Sequence, residues 1–112
     1  MYNIVVTEPA QKDLEAAVSY ISNELKNKHA ALRLLEQVEK EVRSLSEMPE
    51  RYKLVEDEIL ARAGFRFIVI RNYLLFYIVR NDTKTVVVQR FLYARRDWLN
   101  ILKINELSKS EN

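Results

Sequence analysis

The residues best suited to chemistry in this 112-residue chain are arginines and aromatics gathered toward its C-terminal half. Between positions 62 and 96 stand Arg62, Arg66, Arg71, Arg80, Lys84, Arg90, Arg95 and Arg96, opposed by Asp82 alone. Phe91, Tyr93 and Trp98 lie among or beside the last of them. The planar fork of arginine donates paired hydrogen bonds to phosphate. Aromatic rings beside it can stack on unpaired bases. Charge is sorted along the chain: residues 1–60 hold 8 basic against 12 acidic side chains, and residues 61–112 hold 10 against 4. Such sorting directs one end of the molecule at phosphate or at an acidic partner. Solvation of strand edges is the plainer use of the same arginines.

This set lacks a proton acceptor. Arginine stays charged in proteins, and tyrosine titrates near pH ~10. Stabilisation of a phosphate is therefore well supplied, and general base catalysis is not. Other chemistries are poorly represented. With no cysteine there is no disulfide scaffold, Cys-based zinc site or thiol nucleophile. The single histidine, His29, falls in a polar break and reads as a solvated loop residue. Glu56, Asp57 and Glu58 read as a solvated acidic run, and no serine has a histidine base at hand. The one glycine, Gly64, makes no phosphate-binding loop. No metal or other cofactor is expected. No apolar run approaches the roughly 18 residues of a membrane span, and no signal-peptide pattern opens the chain. The expectation is a soluble cytoplasmic protein with no membrane association.

The elements that must position the arginines follow from hydrophobic spacing. Tyr2–Val6 is a β-branched run and predicts a strand. Thr7 then offers a helix cap, and Pro9 suits a first helical turn. Leu14, Ala17, Val18, Ile21 and Leu25 predict a helix over 8–25. Ala31, Leu34, Leu35, Val38, Val42 and Leu45 predict a second over 29–48, stopped by Pro49. The short break between them implies an antiparallel helical hairpin. Residues 49–63 are polar and read as a loop, with room for a short strand. The period then becomes strand-like over 65–71, 73–80 and 85–92, and the short turns impose an antiparallel meander. A last helix is expected over about 94–107. The fold class is therefore α+β, one domain over 1–107, with a disordered tail at 108–112.

The meander strands do not alternate apolar with polar as a one-sided sheet should. Leu74, Phe76 and Ile78 oppose Leu75, Tyr77 and Val79, and Val86 and Val88 oppose Val87 and Phe91 by simple parity. The hairpin can cover one face. The second face is expected to be shared between the last helix and another polypeptide.

Three phrases carry a family resemblance: Gly64-Phe65-Arg66; Arg71-Asn72-Tyr73-Leu74-Leu75-Phe76-Tyr77; and Val88-Gln89-Arg90-Phe91-Leu92-Tyr93-Ala94-Arg95-Arg96-Asp97-Trp98. With Thr7, Ala10, Asp13-Leu14, Tyr20-Ile21 and Ala30-Ala31 upstream, the chain resembles the RelE/ParE superfamily of bacterial toxins from Tyr2 to about Leu102. The resemblance implies a toxin of a type II toxin–antitoxin pair, associated with plasmid stabilisation and silenced by a cognate antitoxin. RelE-like members cut messenger RNA on the ribosome, and ParE-like members inhibit DNA gyrase. A RelE-like enzyme would need no metal. It would use Arg66, Arg90 and Arg95 on the phosphate and Tyr93 on the attacking hydroxyl. Leu74 stands where RelE-like enzymes carry an arginine, which favours the gyrase reading. Arg71, Arg96 and Trp98 are the expected target contacts. Leu74, Phe76, Ile78 and Phe91 are the expected antitoxin contacts. A non-toxic RNA-binding or interaction module is the third reading.

Overall fold

In the computed structural model, which describes residues 1–110, the chain opens with β1 (Asn3–Val6) and passes directly into α1 (Glu8–Ser19). Thr7 makes that junction. Its hydroxyl accepts from Ala10 N at 3.2 Å and donates to Gln89 O at 2.9 Å, so one side chain both caps the helix and ties it to the sheet. Such a cap contributes about 1 kcal/mol. α1 ends earlier than its apolar spacing predicts. It widens into a π-turn over Tyr20–Glu24 and is followed by Lys26 at φ 52°. Asn27 then caps α2 (Lys28–Ser44), accepting from Ala30 N at 3.0 Å.

Three antiparallel-linked strands follow: β2 (Phe65–Ile70), β3 (Tyr73–Arg80) and β4 (Thr85–Tyr93). The sheet order is β1-β4-β3-β2, with β1 parallel to β4. The α+β class, the leading strand, the helical hairpin, the meander and a C-terminal helix are all present as the sequence predicts. The parallel pairing of β1 is new. A bulge interrupts β4: Tyr77 faces Val88 and Phe76 faces Arg90, leaving Gln89 as the extra residue. One inserted residue reverses the face of everything beyond it. Phe91 therefore joins Val86 and Val88 against α1 and α2, instead of opposing them.

The expectation of an open second face is corrected. The hairpin seals Ile68, Ile70, Leu75, Tyr77, Val88 and Phe91 on one side. On the other, Leu74, Phe76, Ile78 and Leu92 are buried beneath Val55, Leu60 and Leu102. Leu60 belongs to α3 (Glu58–Arg62), inside the stretch expected to be a loop. Asp57 caps this short helix through Leu60 N at 3.1 Å, so the acidic run is partly structural. The same stretch also holds a 3₁₀ turn at Pro49–Arg51 and a bridge between Leu54 and Arg66. The buried Tyr77 hydroxyl donates to Pro49 O at 2.6 Å and pins it, and burial pushes that phenol up to about 12.

α4 (Trp98–Ser110) completes the second cover. It begins later than residue 94, because Arg96 N bonds Tyr93 O in a turn and Asp97 accepts from the Asn100 side chain at 2.7 Å. It continues through Ser110, so the tail expected from Ser108 is helical at its start. Residues 111–112 lie outside the described residues. Lys103 of α4 pairs with Asp57 at 2.7 Å, and Trp98 packs on Phe76 with ring centroids 5.2 Å apart.

Candidate functional site

The arginines divide into two groups by what their guanidinium groups touch. Arg90, on the bulge, is clasped by Asp13 of α1 at 2.6 and 2.9 Å. The same carboxylate accepts from Phe91 N at 3.0 Å. Both side chains are mostly buried, and the Asp13 hydrogen bonds raise the Arg90 pKa further. Arg66 is committed to other partners. It donates to Tyr52 O at 2.6 Å and to Glu50 O at 3.3 Å, with the Glu50 carboxylate at 3.4 Å. These two residues, expected on a phosphate, instead hold α1 to β4 and residues 50–52 to β2.

Arg71, Tyr93 and Arg96 do converge. They line a groove of about 690 Å³ between the end of the sheet and the helical hairpin. The groove floor is built from Phe91 and from the Asp13 that Arg90 neutralises. Arg71 reaches it from the two-residue β2–β3 turn, at φ 55°. Its Nε donates to Gln37 Oε1 at 3.2 Å, which steers the rest of the guanidinium. A non-glycine residue in this left-handed region is strained, so the turn holds Arg71 at a cost. Arg95 is exposed on the same turn as Arg96 but does not line the groove. Trp98 does not line it either, being committed to Phe76.

Sequence reasoning missed Tyr20 and Tyr73, which line the groove as well. Tyr73 stacks on Phe91 at 4.8 Å and meets the edge of Tyr93 at 5.7 Å. Burial, then the neighbouring Tyr93 and Tyr20, push its phenol above the usual value. At neutral pH it is a hydrogen-bond donor and no base. Tyr20 shares one α1 face with Asp13, Ala16 and Ala17, at the point where the helix widens into the π-turn. Its signal in the sequence is helical spacing from Asp13, Ala16 and Ala17.

Leu74, Phe76, Ile78 and Phe91, expected to meet an antitoxin, are all buried within the chain itself. The covering helices use them as core. Among the described residues no helix is long and apolar enough to cross a membrane.

Comparison with known proteins fits this architecture. The sequence profile of the ParE toxin of the type II toxin–antitoxin system parDE matches residues 4–98. No match is found among curated proteins. Among solved structures, the chromosomal ParDE system of P. aeruginosa aligns with TM-score 0.68 at 18% identity, covering 85% of this chain and 98% of that one. A RelBE toxin–antitoxin complex from Mycobacterium tuberculosis aligns with TM-score 0.59 at 24% identity, covering 82% and 96%. The RelBE complex of E. coli aligns with TM-score 0.57 at 21% identity, covering 86% and 100%.

Proposed function

We propose a mode of action for a chain that belongs to the ParE toxin family of type II toxin–antitoxin systems: it arrests growth in the cytoplasm by inhibiting DNA gyrase, and a cognate antitoxin neutralises it. The observation that carries the gyrase reading is the commitment of Arg66 and Arg90 to internal partners. A ribonuclease using these residues would need both guanidinium groups on the scissile phosphate. Withdrawing Arg90 would leave Asp13 buried without its counter-charge, which is strongly unfavourable. The groove also offers no proton acceptor: Asp13 is consumed, and the Tyr73 phenol is pushed upward. Leu74 is buried and apolar, so β3 supplies no cation there either.

What the groove does offer is recognition. Tyrosine and arginine are the side chains that dominate the energetics of protein interfaces, and they are concentrated here. An antitoxin partner is supported by the toxin–antitoxin complexes among the similar folds. Maintenance of a plasmid or chromosomal segment is the role such a pair would serve.

The test is purified toxin with gyrase and relaxed plasmid, run beside ribosomes carrying a defined message. Inhibited supercoiling with intact message is the expected result. Cleaved message with unaffected supercoiling would overturn the gyrase reading in favour of a ribosome-dependent nuclease. Inertness in both assays, with normal growth on induction, would favour a non-toxic interaction module.

A further inference from the structure

The groove has a wall that neither composition nor spacing anticipated. Tyr20 is 54% exposed, an unusual state for so large a ring. It opens the π-turn, where Leu25 N bonds Tyr20 O at 3.1 Å and Asn27 N bonds Ile21 O at 3.1 Å. Single π-turns are less stable than continued α-helix and concentrate at functional sites. Tyr93, on the opposite side, is 41% exposed. Among the described residues, no hydrogen bond joins the hydroxyls of Tyr20, Tyr73 or Tyr93 to another group of the chain. Arg96 has no ion-pair partner among them, and Arg71 has only the neutral Gln37. The one acid lining the groove, Asp13, is already neutralised by Arg90. The cavity therefore carries uncompensated positive charge ringed by phenol donors.

We propose that Tyr20 is a target-contacting residue, and that this groove receives an acidic peptide segment of the target protein, its carboxylates meeting Arg71 and Arg96 and the three phenols. This inference rests on the gyrase reading above and extends it to the contact itself. Charge complementarity selects the occupant: Arg71 and Arg96 face a groove whose only lining acid among the described residues, Asp13, is already paired with Arg90, so the charge left over suits the carboxylates of a protein target. Of the three rings, Tyr73 is the one withdrawn from stacking on a base. Tyr73 is already stacked on Phe91 and in T-shaped contact with Tyr93. Tyr20 and Tyr93 keep exposed ring surface of the kind bases stack on, which is why RNA is titrated alongside gyrase.

The experiment compares wild type, Tyr20→Ala, Tyr20→Phe and Leu32→Ala for inhibition of gyrase supercoiling and for direct binding to gyrase. Folding is checked by circular dichroism. A fluorescent single-stranded RNA oligonucleotide is titrated in parallel. Leu32 is exposed on α2 and outside the groove, so its variant should match wild type. Tyr20→Ala should raise the half-inhibitory concentration about tenfold or more, as loss of an interface aromatic does. Tyr20→Phe should fall between the two, because only the hydroxyl is lost. If wild type inhibits and a folded Tyr20→Ala inhibits equally, Tyr20 is no contact residue, while the gyrase reading stands. Tight RNA binding by wild type that Tyr20→Ala loses would overturn the acidic-peptide occupant and install RNA in its place. Wild type that leaves supercoiling untouched defeats the gyrase reading and removes this inference with it.

Discussion

Two short stretches at the end of β4 use the same side chain to opposite ends. At the bulge, Arg90 is folded inward and donates two hydrogen bonds to Asp13. Six residues later Arg96 stands exposed at the rim of a groove. The first arginine stabilises: it joins α1 to the strand and, through the Asp13 contact to Phe91 N, fixes the bulge. The side chain of the second makes no hydrogen bond or ion pair among the described residues and leaves its donors available. An arginine's type and neighbours in sequence do not decide between these uses. The supply of a buried carboxylate does.

Breaking the inward set should produce the largest effects. Asp13→Ala leaves Arg90 mostly buried without its counter-charge and should cost about 3 kcal/mol, read from the urea midpoint at unchanged slope. Arg66→Ala removes the bonds to Tyr52 O and Glu50 and should cost about 1–2 kcal/mol in the same assay.

The outward set should respond in the other sense. Arg71 occupies a left-handed backbone position that asparagine adopts more readily. Arg71→Asn should therefore leave stability unchanged or raise it by up to about 1 kcal/mol, while weakening gyrase inhibition. A gain in stability with a loss of activity would sharpen the contrast, and a large loss of stability would break it.

The smallest effect concerns pH. The Lys103 hydrogen bond, ahead of all other causes, lowers the Asp57 carboxyl from its ordinary value of 3.8. A carboxyl with a lower folded than unfolded pKa adds stability that is present above the unfolded value and is lost as pH falls through the folded one. The contact between α3 and α4 should thus loosen only below about pH 4. Asp57→Asn should flatten that part of the profile, with Trp98 fluorescence as the readout.

The sequence makes the strands, the hairpin and the last helix legible because each has its own period over many residues. It hides features that depend on one residue or on distant partners. The Gln89 bulge reverses Phe91 without disturbing the apolar run around it. The Asp13–Arg90 pair spans 77 positions. α3 is only five residues long, and its buried Leu60 follows three acids, so the stretch reads as loop. With 49–63 read as loop, only the last helix is left to cover the second face of the sheet, which is why Leu74, Phe76 and Ile78 are expected to await a partner. For the site, Arg71, Tyr93 and Arg96 are legible as cation and aromatic types. Tyr20 is not, because the face it shares with Asp13, Ala16 and Ala17 lies beside the apolar stripe that predicts α1 and is not itself apolar throughout.

The exposed arginines of the groove are proposed to act on gyrase, while the buried ones build the fold. The most direct measurement is gyrase supercoiling in the presence of purified wild type and the folded Arg71→Ala/Arg96→Ala double variant, with matched urea midpoints. Wild type is predicted to inhibit, and the double variant to lose inhibition with its midpoint within about 0.5 kcal/mol of wild type. Full inhibition by the double variant would contradict the account.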